Sequence, residues 1–182
     1  MRKLKFHEYK LLKKVDFLQW KKEKSLREYG VRKRYRIQNP EDYHKYNKLV
    51  GLITSLANKL KQLDPADALR VERTEQLLVK MYDMGLITVK KNLEQCAKLS
   101  VSSFCRRRLP VVMVRLRFAE NLLEAVSLIE QGHVRIGPTL VRDPALLVTR
   151  TMEDFITWSN TSKIKRKILK FNDKLDDFDL LD

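Results

Sequence analysis

Apolar positions recur at intervals of three and four along most of the chain, and change to alternation only in its last third. Leu4, Leu11, Leu12, Val15, Phe17 and Leu18 form an imperfect stripe that predicts an amphipathic helix over residues 4–20. Lysines fill much of its remaining surface, so it is too basic to pack alone and is expected to lie on a partner, protein or RNA. Residues 21–38 show little periodicity and many charges, and read as a linker or extended arm. A long helix follows. Asn39 suits its N-cap, Pro40 its first position, and Glu41 and Asp42 sit at the positive end of its dipole. Tyr43, Tyr46, Leu49, Val50, Ile53, Leu56, Ala57, Leu60 and Leu63 recur at helical spacing until Asp64 and Pro65 stop it. A second helix over 67–84, with Leu77, Leu78, Met81 and Tyr82 inward and Gly85 as its stop, completes an antiparallel hairpin across a short connection. A third, short helix is expected near 90–98.

Ser102 or Ser103 could cap the next helix, "SFCRRRLPVVMVRLRFA", which Pro110 either kinks or restarts. In "AENLLEAVSLIEQGHVRIG", Asn121 followed by Glu124 resembles a capping box, and Leu122, Ala125, Val126 and Ile129 form a stripe that Gly132 ends. "HVRIG" then alternates. Val134 and Ile136 fall on one face, His133, Arg135 and Gly137 on the other. Gly137-Pro138 breaks the run, "TLV" resumes it, Asp143-Pro144 breaks it again, and "ALLVTR" and "DFITW" read as further short strands. "TSKIKRKILKF" reads as a short basic helix or arm, and "DKLDDFDLLD" as an acidic tail. The fold class is α+β. The expected divisions are a basic helix and arm at 1–38, a helical hairpin region at 39–100, a small domain of two helices on a short antiparallel sheet at 104–170 with its basic helix, and a tail at 171–182.

Charge sharpens this picture. The chain has 182 residues and a formal net charge of +15. Residues 1–36 hold 14 Lys/Arg against 4 Asp/Glu, residues 37–100 hold 10 against 8, and residues 101–172 hold 13 against 6. Two basic zones therefore flank a nearly neutral hairpin, which reads as a scaffold. Such an excess implies a polyanionic partner, most often nucleic acid. Phe17 and Trp20 among the N-terminal lysines favour insertion into a larger assembly. "RKR" at 32–34 and "KIKRK" at 163–167 are short enough to serve as nuclear import signals, and any RNA-binding face would show the same runs. No apolar run approaches the roughly 20 residues that span a bilayer, and "MRKLKFHEYKLLKK" lacks the apolar stretch of a signal peptide.

Catalytic chemistry finds little support. The three histidines, His7, His44 and His133, stand in different segments. The two cysteines, Cys96 and Cys105, form no metal motif. Cys105 beside three arginines could have a lowered thiolate pKa, but no base is evident near it. No Gly-rich phosphate loop is present. No enzyme activity, cofactor, metal or small-molecule substrate is expected.

"RRRLPVVMVRLRFAENLLEAVSLIEQGHVRIGPTLVRDPALLV" resembles the S4 RNA-binding domain. Arg107, Arg108, Leu109, Ala119, Asn121, Gly132, His133, Val134 and Pro144 fall on that family's spaced marks over roughly residues 106–160. The chain departs from it at Val126, where the family often has Arg, and at Gly137-Pro138, where it often has Asn-Gly. Over its full length, through "RKLKFHEYKLLKKVDFLQW", "EDYHKYN", "SSFCRRRLP", "EQGHVRIGP", "LVTRTMEDFITW" and the "DDFD" end, it is similar to the S4-type proteins of the U3 small nucleolar ribonucleoprotein. That resemblance implies a nucleolar factor of small-subunit biogenesis, within the small-subunit processome, that helps U3 RNA pair with pre-rRNA and binds an acidic scaffold phosphoprotein of the same particle. The alternative is a structural small-subunit ribosomal protein with an S4 domain.

The expected RNA-contacting residues follow. Arg106, Arg107 and Arg108 enter from the first helix, and His133 and Arg135 lie on the polar side of the strand. Together they predict one cationic face that reads shape and phosphates. His133 could instead be a buried histidine satisfied by a backbone carbonyl. Arg115 and Arg117 share no face, and one of them is expected to bind RNA or an acidic neighbour. Asn121 on the second helix, and Lys163, Lys165 and Arg166 on the basic C-terminal helix, complete the set.

Overall fold

The computed structural model describes residues 2–14 and 22–174. Helix α1 spans Phe6–Lys14. The rest of the expected first helix, with Phe17 and Trp20, lies outside the described residues, as does most of the acidic tail. Residues 22–35, expected as a linker or arm, form helix α2 (Lys22–Tyr35) instead. Lys, Glu, Leu and Arg are strong helix formers even without an apolar stripe. Glu28 and Arg32, one turn apart at 3.7 Å, add a weak pair, and Arg32, Lys33 and Arg34 sit at the negative end of the dipole. Arg36, at φ 50, then turns the chain so that Tyr35 and Ile37 are buried.

The hairpin helices form where expected, although Leu49, Leu56 and Leu63 of the expected stripe stay exposed. Helix α3 (Pro40–Gln62) starts after Asn39, and α4 (Ala68–Asp83) is capped by Asp67, whose side chain accepts from the Leu69 N–H. Gly85, at φ 72, ends α4 in the left-handed region that favours glycine. Helix α5 (Leu93–Ala97) follows. Ala57, Leu60, Leu77, Leu78, Met81, Ile87 and Cys96 bury between α3, α4 and α5. A second cluster joins Tyr35, Ile37, Tyr43, Tyr46, Val101, Phe104 and Cys105, with the Tyr46 and Phe104 rings stacked at 5.7 Å.

The last third is two helices on a small sheet. Helix α6 (Val101–Cys105) has Ser100, not Ser102 or Ser103, at its N-cap position, and the Ser100 side chain makes no cap bond. Pro110 sits in the first turn of a fresh helix, α7 (Leu109–Arg115), where its missing N–H has no partner to lose. Helix α8 (Leu122–Glu130) packs on α7, and Gly132, at φ 77, closes it. Strands β1 (Val134–Ile136), β2 (Thr139–Val141) and β3 (Ile156–Trp158) form an antiparallel sheet in the order β2-β1-β3. Gly137, at φ 57, takes the first place of the two-residue turn between β1 and β2. The expected strand "ALLVTR" is not one. Its backbone bonds the α6–α7 junction instead, with Leu109 N–H donating to Leu146 O and Val148 N–H to Arg107 O. The short helix α9 (Arg150–Glu153) then starts under the Thr149 side chain, which accepts from the Met152 N–H. The core of this unit is Leu109, Val112, Met113, Ala125, Ile129, Val134, Val148 and Ile156, flanked by the Phe118 and Trp158 rings at 5.4 Å. Each of the larger of these, the Leu, Val, Ile and Met side chains, contributes roughly 1.5–3 kcal/mol. Helix α10 (Lys163–Phe171) ends the described chain.

Candidate nucleic-acid interface

The arginine run divides. Helix α6 ends before Arg106 and α7 begins after Arg108, so the three residues occupy a turn that sends them in different directions. Arg106 is exposed. Arg107 is buried, its Nε donating to Val148 O at 2.9 Å while Nη1 pairs with Glu153. It fills the space over Gly85, where an added Cβ would stand 2.7 Å from Arg107 Cζ. Arg108 is 1% exposed, with Nη1 3.1 Å from Asp42 Oδ2 and 3.4 Å from the Tyr46 hydroxyl. The expectation that Arg107 and Arg108 share an outer face with Arg106 is therefore corrected. Both are tied to the molecule's own carboxylates, Arg107 to Glu153 of α9 within the small domain and Arg108 across to Asp42 on the hairpin.

Arg150 does the same from α9. Its Nε and Nη2 donate to the Tyr82 and Ile87 carbonyls at 2.8 Å, and its guanidinium lies 4.0 Å from the centre of the Tyr82 ring. Nor is Cys105 an activated thiol. Burial pushes its pKa up to about 11, against the nearby charge of Arg108. Burial likewise raises the Tyr46 hydroxyl, with Arg108 opposing.

Arg115 and Arg117 separate as well. Arg115 Nη2 lies 2.6 Å from Glu153 Oε2. Burial works to raise the Glu153 pKa, but hydrogen bonds from Arg115 and Arg107 overcome it and hold the carboxyl below its ordinary range. Arg115 therefore has the acidic neighbour. Arg117, at φ 66, is exposed with no carboxylate partner among the described residues. Asn121 is the N-cap of α8, yet its side chain makes no cap bond. The Glu124 carboxylate accepts instead from the N–H of Glu120, one residue before the N-cap, at 3.1 Å, so the expected box does not form and the exposed Asn121 amide stays uncommitted.

The α8–β1 switch collects a second group. The Ser162 hydroxyl accepts from the Ile164 N–H at 3.2 Å and lies 3.0 Å from His133 Nδ1. Gln131 Oε1 can only accept, so His133 Nε2 carries a proton and donates to it at 3.2 Å, and in the neutral ring Nδ1 accepts from the Ser162 hydroxyl. Ser159 N–H donates to His133 O at 2.8 Å. His133 thus holds the start of α10 against the start of β1. Its ring bonds are to side chains, not to the backbone carbonyl that the buried-histidine alternative required.

This contact sets the start of α10, which carries Lys163, Lys165 and Arg166, beside the start of β1, which carries Arg135. Arg135 Nε donates to Thr157 Oγ1 at 3.0 Å on the outer face, and Lys165 Nζ to Asn160 Oδ1 at 2.7 Å. Arg142 belongs here too, although sequence reasoning passed over it. Carrying the β1–β2 register one step beyond Val134↔Val141 places Arg142 opposite His133, and its Nε lies 3.2 Å from where a Cβ on Gly132 would stand. The alternation of "TLVR" after a two-residue turn was the available signal. Among the described residues, none of Arg135, Arg142, Lys163 and Arg166 has a carboxylate partner.

The expected residues therefore form two groups. Arg117 and Asn121 stand at the start of α8. His133, Arg135, Arg142 and the α10 cations stand at its end, about 13 Å away along a nine-residue helix. Both suit phosphate binding, since guanidinium and ammonium groups with no internal carboxylate remain to be neutralised. Among the described residues no cluster of His, Cys, Asp and Glu is placed to hold a metal ion, and no helix is long and apolar enough to cross a membrane.

The Ribosomal protein S4/S9 N-terminal domain matches residues 3–106 and the S4 domain residues 107–154. The U3 small nucleolar ribonucleoprotein protein IMP3 of Saccharomyces cerevisiae is 54% identical over 180 residues, covering 98% of each chain. The chain belongs to the IMP3 family. The human IMP3 protein is 52% identical over 181 residues, 99% of this chain and 98% of its own. A more distant likeness reaches the small ribosomal subunit protein uS4 of Hyperthermus butylicus, 27% identical over 151 residues, 83% of this chain and 85% of that one. The boundary between the two matched regions falls between Arg106 and Arg107. In this IMP3-family chain it coincides with the turn from which the buried Arg108 reaches back to Asp42 and Tyr46 of the first part.

Proposed function

We propose that the chain is a non-enzymatic RNA-binding assembly factor of the U3 small nucleolar ribonucleoprotein, acting in the nucleolus to help U3 RNA pair with pre-rRNA during small-subunit biogenesis. The observation that carries this reading is the end-to-end similarity to proteins named for that particle, at 54% identity over 98% of both chains. The geometry supports it. Arg135, Arg142, Lys163, Lys165 and Arg166 gather where α8, β1 and α10 meet, while Arg106, Arg117 and Asn121 offer further exposed donors. Two RNA segments repel through their phosphates, and cations placed between them lower that repulsion. The basic helices α1 and α2 suit an acidic partner, in keeping with a scaffold phosphoprotein of the same particle. The distant likeness to uS4 favours a second reading, a structural ribosomal protein. Sedimentation separates them, because an assembly factor runs with precursor particles and is absent from translating ribosomes.

Neutralised phosphates release counterions, so RNA affinity should fall steeply with salt. Six contacts correspond to a log–log slope of about −5 on a duplex, using the value for DNA. Replacing Arg135, Arg142, Lys163 and Arg166 with Ala is expected to flatten the duplex slope by about 3.6 while leaving the folded state intact. An unchanged slope in the folded variant would remove this surface from the RNA site.

A further inference from the structure

The hairpin's near-neutral charge conceals a local excess of cations. A cleft of about 790 Å³ opens between the end of α3, the outer side of α4 and the approach to α5. Its walls hold Lys61, Arg70, Lys90 and Lys91, drawn from three separate stretches of chain, against the two carboxylates Glu75 and Glu94. Four of the ten basic residues of 37–100 thus meet at one place, with only two of the eight acidic ones. Glu94 is further engaged by Lys98, one turn away at 4.0 Å. None of the four cations has a carboxylate partner among the described residues.

Several features suit a nucleotide chain. The Thr74 hydroxyl in the cleft wall is buried and has no hydrogen-bond partner. Asn92, the N-cap of α5, makes no cap bond, so its amide is uncommitted. Two of the cations are held in place rather than left to wander. Arg70 Nη1 donates to Leu63 O at 2.7 Å, and Lys90 Nζ lies 4.5 Å from the centre of the Tyr82 ring. Apolar side chains, Val71 and Leu93 among them, line the floor and offer a surface for a base or ribose. A cleft with fixed cations at its rim, uncommitted polar groups in its wall and an apolar floor matches a phosphodiester chain with one base turned inward.

We propose that this cleft is a second RNA-binding site, separate from the surface around His133 and Arg135, so that one molecule can hold two RNA segments at once. The inference rests on the reading of the chain as an RNA-binding protein and extends it to the part that charge counting marked as scaffold.

The test uses the full chain. Lys61→Ala with Lys91→Ala removes two exposed charges and leaves Arg70 and Lys90 in their structural contacts. Binding to single-stranded RNA is measured against salt for the wild type, for this variant, and for the Arg135/Arg142/Lys163/Arg166→Ala variant. The cleft variant is expected to melt like the wild type and to flatten the slope by about 1.4, from roughly 0.7 per lost contact on single strands. Ultraviolet crosslinking should join RNA to peptides within residues 61–94 in the wild type, and several-fold less in the cleft variant. A cleft variant with an unchanged slope and no crosslinks in that segment overturns the inference while the RNA-binding reading stands. A cleft that instead takes up polyglutamate, with the RNA slope unmoved, overturns it in favour of an acidic protein. A wild type that binds no RNA overturns both.

Discussion

At the scale of single residues, the arginines divide by what surrounds them and not by where they stand in the chain. Arg106, Arg107 and Arg108 are neighbours, yet one is exposed and two are buried against carboxylates. The difference matters energetically. An arginine in solvent gives up little when replaced, whereas removal of one partner from a buried pair leaves the other charge without compensation. Arg108 and Asp42 keep side-chain exposures of only 2% and 13%. Replacing Arg108 with Ala is expected to lower stability by about 3 kcal/mol in urea unfolding, and Arg106→Ala by no more than about 0.5. The combined change of Arg108→Met and Asp42→Leu should recover much of that loss, since it leaves no unpaired charge behind. Such losses would also lower RNA binding without either arginine touching RNA, so a triple alanine variant of the run would be misread as a binding-site mutant.

Among the elements, α10 shows how a basic helix is made part of a site. Its charges alone would leave it free to point anywhere. The Ser162 hydroxyl ties it down in two ways, by capping its first turn and by bonding His133 at the head of β1. Ser162→Ala is expected to cost about 1 kcal/mol, the usual worth of a cap. Amide exchange should show the loss locally, with faster exchange across residues 163–171 and little change in α7 or α8. Uniform acceleration over the whole small domain would mean that α10 is an integral part of its core. The two elements that sequence reasoning misplaced have a common cause. Helix α2 forms from helix-favouring residues that present no periodic stripe, and "ALLVTR" looks apolar enough for a strand but bonds to a helix junction instead of a sheet edge.

Across the whole molecule, the small domain is built onto the hairpin. Arg108 reaches Asp42 and Tyr46 on α3, and Arg150 reaches the carbonyls at the end of α4. Residues 107–174 expressed alone would lose those acceptors while keeping the guanidinium groups. They are expected to unfold less cooperatively and at a lower temperature than the same segment within the full chain, as followed by circular dichroism. An isolated segment with an undiminished melting temperature would show that the seam adds nothing to the stability of this part. The same seam holds the surface around His133 in a fixed relation to the basic cleft of the hairpin, as a protein that holds two RNA strands together would require.

Much was legible in the sequence because it is local. Helical spacing, Asn39 and Asp64-Pro65 mark the boundaries of α3. Gly132, His133 and the alternation after them mark the switch from α8 to β1, and Gly137-Pro138 marks the hairpin turn. Each depends on the intrinsic preferences of residues close in the chain, and so does the net charge that pointed to a polyanion. What the tertiary structure alone decided was the fate of individual charges: Arg107 and Arg108 drawn inward, Arg115 paired, Arg117 without a carboxylate partner among the described residues, Arg142 brought beside His133, and four hairpin cations collected in one cleft. The physical reason is that a charge acts through whatever stands within a few ångströms of it. Those neighbours come from segments as far apart as Asp42 and Arg108, a distance that no local pattern spans.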